Sequence, residues 1–306
     1  MTVNRRKFGK PLIGIDEVHE VEYSECSWKS ADGTSLFTRL WYPDGVIKSA
    51  VCIVHGLGEH SGRFAHVAES FGREGIAVAA FDLRGHGKSD GKRGHTPSFS
   101  ALLDDIGSAL RQFAQLFPDV PLFLYGHSMG GNLVLNYVLR RKPELAGVIS
   151  SAPWLKLAFE PPKIKVRFGR VVDRLWPSFS QSNGLKSKAL SRSADIVDEY
   201  EADGLVHDRI TARLYFSLRD AGAWAIEHAA DIRIPVLIMH GSGDQITSCA
   251  ASERFAEKAK EFSTLMIWKG FFHELHNDPF GGEVIDYMAS WMKMTAGQTQ
   301  VSKIQV

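Results

Sequence analysis

The chain is short of cysteine and short of net charge, and each scarcity removes a class of protein. Three cysteines, Cys26, Cys52 and Cys249, stand in 306 residues. So sparse and odd a set makes no disulfide framework and suits a reducing compartment. Thirty-six Lys and Arg oppose 35 Asp and Glu, leaving a formal charge of +1. Without a basic surplus to meet phosphates, no nucleic-acid partner is expected. No stretch reaches the roughly eighteen apolar residues of a membrane span. The first twenty residues hold Arg5, Arg6, Lys7 and Lys10 but no apolar run, so a cytoplasmic protein without a secretory signal is expected. No His and Cys cluster has metal-ligand spacing, and no G-x-G-x-x-G leads from a strand into a helix. Neither a metal nor any other cofactor is therefore expected. Repeats and low-complexity tracts are missing too. What is present is 44% hydrophobic content, over a length sufficient for one large core with an inserted module.

Apolar β-runs alternate with helical patterns along most of the chain. Residues 20–28 and 35–41 flank Asp32-Gly33 as a hairpin. Residues 49–54 and 76–81 are continuous apolar runs, the mark of strands buried on both faces, with a helix over 64–73 between them. A polar loop, 82–91, leads into a helix over 98–117. Strands follow at 122–125 and 145–150. After a long interval come a helix at 219–229, a strand at 235–240, a helix at 248–260, a strand at 265–268 and a helix at 282–292. Such alternation implies crossover connections and an α/β fold, with a mostly parallel central sheet flanked by helices. From 154 to about 217 the alternation lapses, for too many residues to form a loop. The expected organisation is a core from 1–153 and 219–296, a lid inserted at 154–218 above the strand ends, and a frayed polar tail at 297–306.

The stretch around which the chain is organised is Gly126-His127-Ser128-Met129-Gly130. It lies between the short apolar run 122–125 and a helical pattern with apolar residues at 133, 134, 137 and 138. G-x-S-x-G at a strand-to-helix turn presents a serine hydroxyl above the sheet, and the two glycines relieve the crowding of that turn. The helix that begins there aims free N–H groups and its positive end at charge forming on a substrate oxygen. A serine is a poor nucleophile until a base takes its proton. On this arrangement the partners follow in the order Ser, Asp or Glu, His. The strand 235–240 runs into Gly241-Ser242-Gly243-Asp244, and the next strand runs into Lys269-Gly270-Phe271-Phe272-His273. Ser128, Asp244 and His273 are thereby expected at one sheet edge, as nucleophile, orienting carboxylate and general base.

Each of these residues also has a plainer reading. Asp244 could cap the helix near Ser248, and His273, or alternatively His276, could be a surface loop histidine. Asp278 and Glu274 are runner-up carboxylates that follow no strand directly, and Asp231 precedes its strand, at the wrong end. His86 precedes the serine and is read as ordering its own loop. For the oxyanion, the N–H of Met129 is one expected donor. His55-Gly56-Leu57-Gly58 after the strand 49–54 supplies the other, the N–H of Leu57. Each such donor is worth about 3–4 kcal/mol in the transition state. The plainer reading of these glycines is a tight turn.

Five blocks together resemble an α/β-hydrolase of the monoacylglycerol lipase and lysophospholipase type, over roughly 28–292. They are the stretches 55–63, beginning His55-Gly56-Leu57-Gly58-Glu59, and 82–89, beginning Asp82-Leu83-Arg84-Gly85-His86. The others are 126–131, 241–244, and 269–276, which ends His273-Glu274-Leu275-His276. The resemblance implies acylation of the serine by a glycerol monoester and then hydrolysis by water. It also implies that Glu59, Arg63 and His276 hold the glycerol head; their plainer reading is an ion pair and hydrogen bonds bracing the loop. Gly204, where the family usually has proline, and the bulky Phe271-Phe272 depart from the pattern, the latter pair being expected to narrow the pocket. Cys249 is read as a buried helix thiol.

The lid opens at Trp154. Over 163–176 it sets Ile164, Phe168, Val171, Val172 and Leu175 on one helical face and Lys163, Arg167, Arg170 and Arg174 on the other. The apolar face is expected to pack on the pocket beneath a solvated basic face. A sharper reading lays the lid on an anionic membrane surface, making the protein peripheral there. The expected substrate is a monoacylglycerol or similar single-chain ester. Lysophospholipase and general carboxylesterase are the alternatives, and a non-catalytic lipid-binding protein is the alternative from another class. Intact Ser128, Asp244 and His273 weigh against the last.

Overall fold

The computed structural model describes residues 4–6 and 21–304. The start of the first expected strand, residue 20, lies outside them. Strand β1 (Asn4–Arg6) pairs antiparallel with β2 (Val21–Lys29), which forms the Asp-Gly hairpin with β3 (Ser35–Pro43). Then come β4 (Ser49–Val54), α1 (Ala65–Arg73), β5 (Ile76–Phe81) and α2 (Phe99–Leu116), the last capped by the Ser98 hydroxyl accepting from the Ala101 N–H. β6 (Leu122–His127), α3 (Met129–Arg141) and β7 (Gly147–Ser151) form the centre. α4 (Lys163–Leu175), β8 (Ser180–Ser182), α5 (Ala194–Ala202) and β9 (Arg209–Thr211) follow. The chain returns through α6 (Ala212–Glu227), β10 (Val236–Gly241), α7 (Cys249–Ala259), β11 (Ser263–Trp268) and α8 (Gly281–Ile304).

Among the described residues the main sheet has nine strands in the order β1-β2-β3-β5-β4-β6-β7-β10-β11, parallel from β5 to β11. Strands β4, β5 and β10 are buried on both sides, which is why they read as uninterrupted apolar runs. On β4, Val51 and Ile53 pack with α1 and α8, while Ala50, Cys52 and Val54 pack with α2, α3, α6 and α7. The order of strands reverses between β5-β4 and β6. The carboxyl ends of β4 and β6 therefore lie side by side at the switch point, where ligands bind in such sheets.

Two boundaries differ from the expectation. The helix expected over 219–229 begins instead at Ala212. Thr211 caps α6 by accepting from Leu214 N–H, and that helix is tied to α3 by Asn132 and Asn136, whose amides donate to the carbonyls of Leu218 and Ala221. The aromatic pair Tyr215-Phe216 masks that helix start in the sequence. At the other end, α8 continues through most of the expected tail to Ile304, since no proline or terminal glycine stops it there.

Loops under the site are braced by buried ion pairs. Asp82 Oδ1 accepts from Ser61 N–H at 2.8 Å and from Arg39 Nη1 at 3.1 Å, holding the loop after β4 to the loop after β5. Arg84 forks onto Asp105 at 2.6 and 2.7 Å and reaches Asp32 at 2.7 Å. Both Arg84 and Asp105 are buried. Removing Asp105 leaves the buried guanidinium only the half-exposed Asp32, so Asp105→Ala is expected to lose about 1.5–3 kcal/mol of stability in a urea melt, against under about 1 kcal/mol for the exposed pair member Asp104.

Candidate active site

Ser128 sits at the joint between β6 and α3 with φ 55° and ψ −113°, a strained conformation for a non-glycine residue. It costs about 1–3 kcal/mol and persists because the surroundings over-determine it. Its N–H donates to Ser151 O at 2.9 Å, and its carbonyl accepts from Asn132 and Trp154 N–H at 3.0 and 2.9 Å. The flanking glycines are explained by contact. A Cβ on Gly130 would overlap the Val54 carbonyl oxygen, and one on Gly126 would overlap the Gly130 carbonyl. The first turn of α3 thus lies directly on the end of β4.

The three residues expected to meet do so. Ser128 Oγ–H donates to His273 Nε2 at 2.9 Å, and His273 Nδ1–H donates to Asp244 Oδ2 at 2.7 Å. All are buried, although they belong to loops after three different strands. Burial alone would push the His273 pKa down, but the Asp244 carboxylate outweighs it and the pKa is raised. In the same way burial opposes ionisation of Asp244, yet His273 and His240 hold its carboxyl well below the ordinary range. Asp244 does not cap α7 through Ser248. Its Oδ1 accepts from the N–H groups of Ile246 and Thr247 at 2.7 and 3.0 Å, which fixes the carboxylate plane.

Two supporting residues were not legible in the sequence. Thr247 Oγ1 lies 2.8 Å from Asp244 Oδ2, 3.1 Å from Ala152 O and 3.3 Å from His273 Nδ1. His240 Nε2 approaches Asp244 Oδ2 at 3.1 Å and Thr247 O at 3.3 Å, while its Nδ1 faces Ser252 Oγ at 2.8 Å. Two acceptors on one side require Nε2 to carry the proton, so His240 is a second donor to the carboxylate. The strand-end position of His240 was visible, but nothing in sequence spacing said that it points back at Asp244.

Both expected oxyanion donors lie beside Ser128. Met129 opens α3, so its N–H is one of the helix's donors without an intrahelical acceptor. The loop of Leu57 is held against the nucleophile, where a Cβ on Gly56 would stand 3.2 Å from Ser128 Cβ. His55 fixes that loop from behind. Its Nδ1–H donates to Gly56 O at 2.7 Å and its Nε2 accepts from Leu83 N–H at 2.9 Å. Burial pushes its pKa down to about 4, keeping the ring neutral. His86 donates from Nδ1 to Arg84 O at 3.0 Å and stays within its own loop.

A cavity of about 630 Å³ opens over Ser128. Its far wall is apolar, built from Leu157, Val166, Phe168, Val172, Tyr215 and Phe216 among others, and its near end holds Glu59, Tyr200 and Glu274. Of the three residues expected at the head group, only Glu59 faces this space. Arg63 lies behind it, its Nε 3.3 Å from Glu59 Oε2 and its Nη2 2.6 Å from Glu274 Oε2, so it bridges the two carboxylates. His276 is buried against the Phe64 ring at 4.7 Å, and among the described residues neither of its ring nitrogens has a partner. Its pKa is pushed well down, by burial first. Phe271 and Phe272 do not narrow the cavity, because Phe271 turns away onto Trp268. Cys249 is half-buried at the start of α7 rather than fully enclosed.

The helix α4 also departs from expectation. Of its apolar row, Phe168 and Val172 border the cavity as expected, but Ile164 is 79% exposed, Phe168 69%, Val171 52% and Leu175 81%. The other face is the one pinned to the molecule. Arg170 stacks 3.9 Å from the Phe216 ring centre and pairs with Asp220 at 2.7 Å, and Asp173 accepts from Arg213 at 2.6 Å. Gly169 on the same face leaves room for the Phe216 ring, so α4 meets α6 through a close approach as well as through these pairs.

Residues 45–280 match the family model described as serine aminopeptidase, S33. The chain is 32% identical to a monoacylglycerol lipase of Mycolicibacterium smegmatis, covering 88% of this chain and 96% of that protein. It is 37% identical to an uncharacterised abhydrolase domain-containing protein of Dictyostelium discoideum, of whose length it spans 28%. The crystal structure of a Paleococcus ferrophilus monoacylglycerol lipase superposes with a TM-score of 0.77 at 37% identity, over 85% of this chain and 99% of that one.

The raised His273 pKa sets a sign for pH dependence. The ring can accept the serine proton only when neutral, so kcat/KM is expected to fall as pH drops through a midpoint above that of an ordinary imidazole. Asp244→Asn removes the cause of the shift. Its acid limb should move to lower pH while kcat falls roughly 10⁴-fold, measured with a soluble chromogenic ester.

Proposed function

The chain belongs to the serine aminopeptidase S33 family and is a carboxylic ester hydrolase with the α/β-hydrolase fold; we propose that it cleaves monoacylglycerols to free fatty acid and glycerol. The observation that carries this reading is the 2.9 Å contact from Ser128 Oγ to His273 Nε2 at the floor of a cavity with an apolar wall and a polar end. Ser128 Oγ attacks the ester carbonyl carbon as its proton passes to His273 Nε2. The negative oxygen that forms is met by the N–H groups of Met129 and Leu57. When the carbon–oxygen bond to the alcohol breaks, His273 returns the proton to the departing oxygen and an acyl-enzyme remains. Water then gives a proton to His273 and attacks the acyl carbon. Fatty acid departs and Ser128 regains its hydrogen. Asp244 keeps the imidazole in the required tautomer and balances its charge. One apolar wall of this size suits a single acyl chain.

The segment from Trp154 to β9 acts as a lid over this cavity. The exposed row on α4, continued by Trp176 and Phe179 and bordered by Lys163, Lys165 and Arg167, supports peripheral contact with an anionic membrane surface. Among the described residues no helix is long and apolar enough to cross a membrane.

Ser128→Ala is expected to lower turnover of 1-monolauroylglycerol about a millionfold, with an unchanged circular dichroism spectrum and no labelling by a fluorophosphonate. Wild-type protein that hydrolyses none of a panel of mono-, di- and triacylglycerols and lysophosphatidylcholine would sink the reading. For the lid, Ile164→Asp with Leu175→Asp should slow hydrolysis of substrate held in anionic vesicles roughly tenfold more than that of a soluble short-chain ester. Equal slowing would leave α4 without a membrane role.

A further inference from the structure

The loop that carries His273 is held from two directions. On the core side, Phe271 O accepts from Gly243 N–H at 2.9 Å, which ties this loop to the one bearing Asp244. On the other side the partner is the lid. The peptide N–H that follows His273 belongs to Glu274 and donates to Leu190 O at 2.8 Å. Ser191 Oγ–H donates to Asn277 O at 2.7 Å. Arg192 then closes a two-pronged pair on Asp278, from Nε to Oδ2 at 2.7 Å and from Nη2 to Oδ1 at 2.6 Å. Its guanidinium also lies 4.6 Å from the centre of the Phe271 ring. Three consecutive lid residues thus grip the loop on both sides of the base, from Phe271 to Asp278. The Asp278 side chain is 2% exposed, and its Oδ1 accepts in addition from Phe280 N–H at 3.1 Å, so the carboxylate is a fixed point.

Resting on the esterase reading above, we propose that Arg192 is a positioning residue for the catalytic base, and that the lid segment 190–192 sets where His273 stands between Ser128 and Asp244. The imidazole has to meet Asp244 at 2.7 Å and Ser128 at 2.9 Å at the same time. That demands a backbone placed to within about 0.5 Å. A carbonyl on the adjoining peptide and a forked guanidinium on a buried carboxylate supply such placement, because the fork fixes direction as well as distance. Leu190 also lines the cavity, so the same short segment joins the cavity wall to the base. The lid therefore supports the chemical step as well as covering the substrate. A lid that only sheltered acyl chains would affect the binding of long esters and leave the turnover of a short one alone.

The test uses the full-length protein and p-nitrophenyl acetate, whose two-carbon acyl group needs none of the apolar wall. Arg192→Ala and Asp278→Asn are each expected to lower kcat about 10- to 100-fold, the cost of a misplaced reacting group, with KM changed less than about threefold. Fluorophosphonate labelling at Ser128 should slow by the same factor. The far-downfield proton resonance of the hydrogen bond from His273 to Asp244 should broaden. Since the two side chains act as one clasp, the double variant should be no slower than either single one. Arg192→Lys keeps the charge without the fork and should fall between the wild type and Arg192→Ala. A kcat per labelled site equal to that of the wild type, whatever happens to the melting temperature, overturns the proposal and leaves Arg192 a structural clamp. A loss confined to KM or to long-chain esters, or single losses that multiply in the double variant, overturns it too. Should Asp278→Asn fail to fold, the two variants of the one-third-exposed Arg192 decide. Wild-type protein that neither cleaves the acetate nor takes the label would instead overturn the esterase reading.

Discussion

The contact on which the rest depends is backbone against backbone: the first turn of α3 resting on the last carbonyls of β4, with no side chain at Gly130 to hold them apart. That contact forces Ser128 into its positive-φ conformation, aims its hydroxyl away from the sheet and brings the Leu57 loop alongside. The strain is local and the compensation is global. It is held by the hydrogen bond Ser128 N–H gives to Ser151 O, by those its carbonyl accepts from Asn132 and Trp154 N–H, and by apolar packing on both faces of β4 and β6.

Around this joint the molecule buries many charges, and almost all are paired in fixed directions. Asp82 with Arg39, and Arg84 with Asp105, lock the loops beneath the nucleophile. Asp244 collects donors from His273, His240, Thr247 and two backbone amides. Such a carboxylate is a rigid orienting group rather than a proton carrier. The pair Glu59 and Glu274 shares one guanidinium and is completed by the Gly56 N–H and the Asn277 amide at the edge of the cavity.

The segment over the cavity obeys a different logic. Its α4 leaves Ile164, Phe168, Val171 and Leu175 largely exposed to water, while Arg170 and Asp173 on another face pair with α6. An exposed row of this kind is a cost to a molecule alone in water and is consistent with a surface that meets lipid.

Much of this was legible in the sequence because it is local or periodic. Continuous apolar runs at β4, β5 and β10 report burial on two faces, and the glycines around Ser128 report a turn with no room for side chains. Even the meeting of Ser128, Asp244 and His273 follows from strand ends, since parallel strands deliver all their carboxyl ends to one edge. What tertiary structure alone decided concerns direction rather than position. Arg63 faces two carboxylates instead of the cavity, His276 lies against Phe64, His240 turns back on Asp244, and α4 turns Arg170 and Asp173 toward α6. Spacing along a chain places a residue on an element, but which way its side chain points depends on neighbours far away in sequence that compete for the same donor, ring or void.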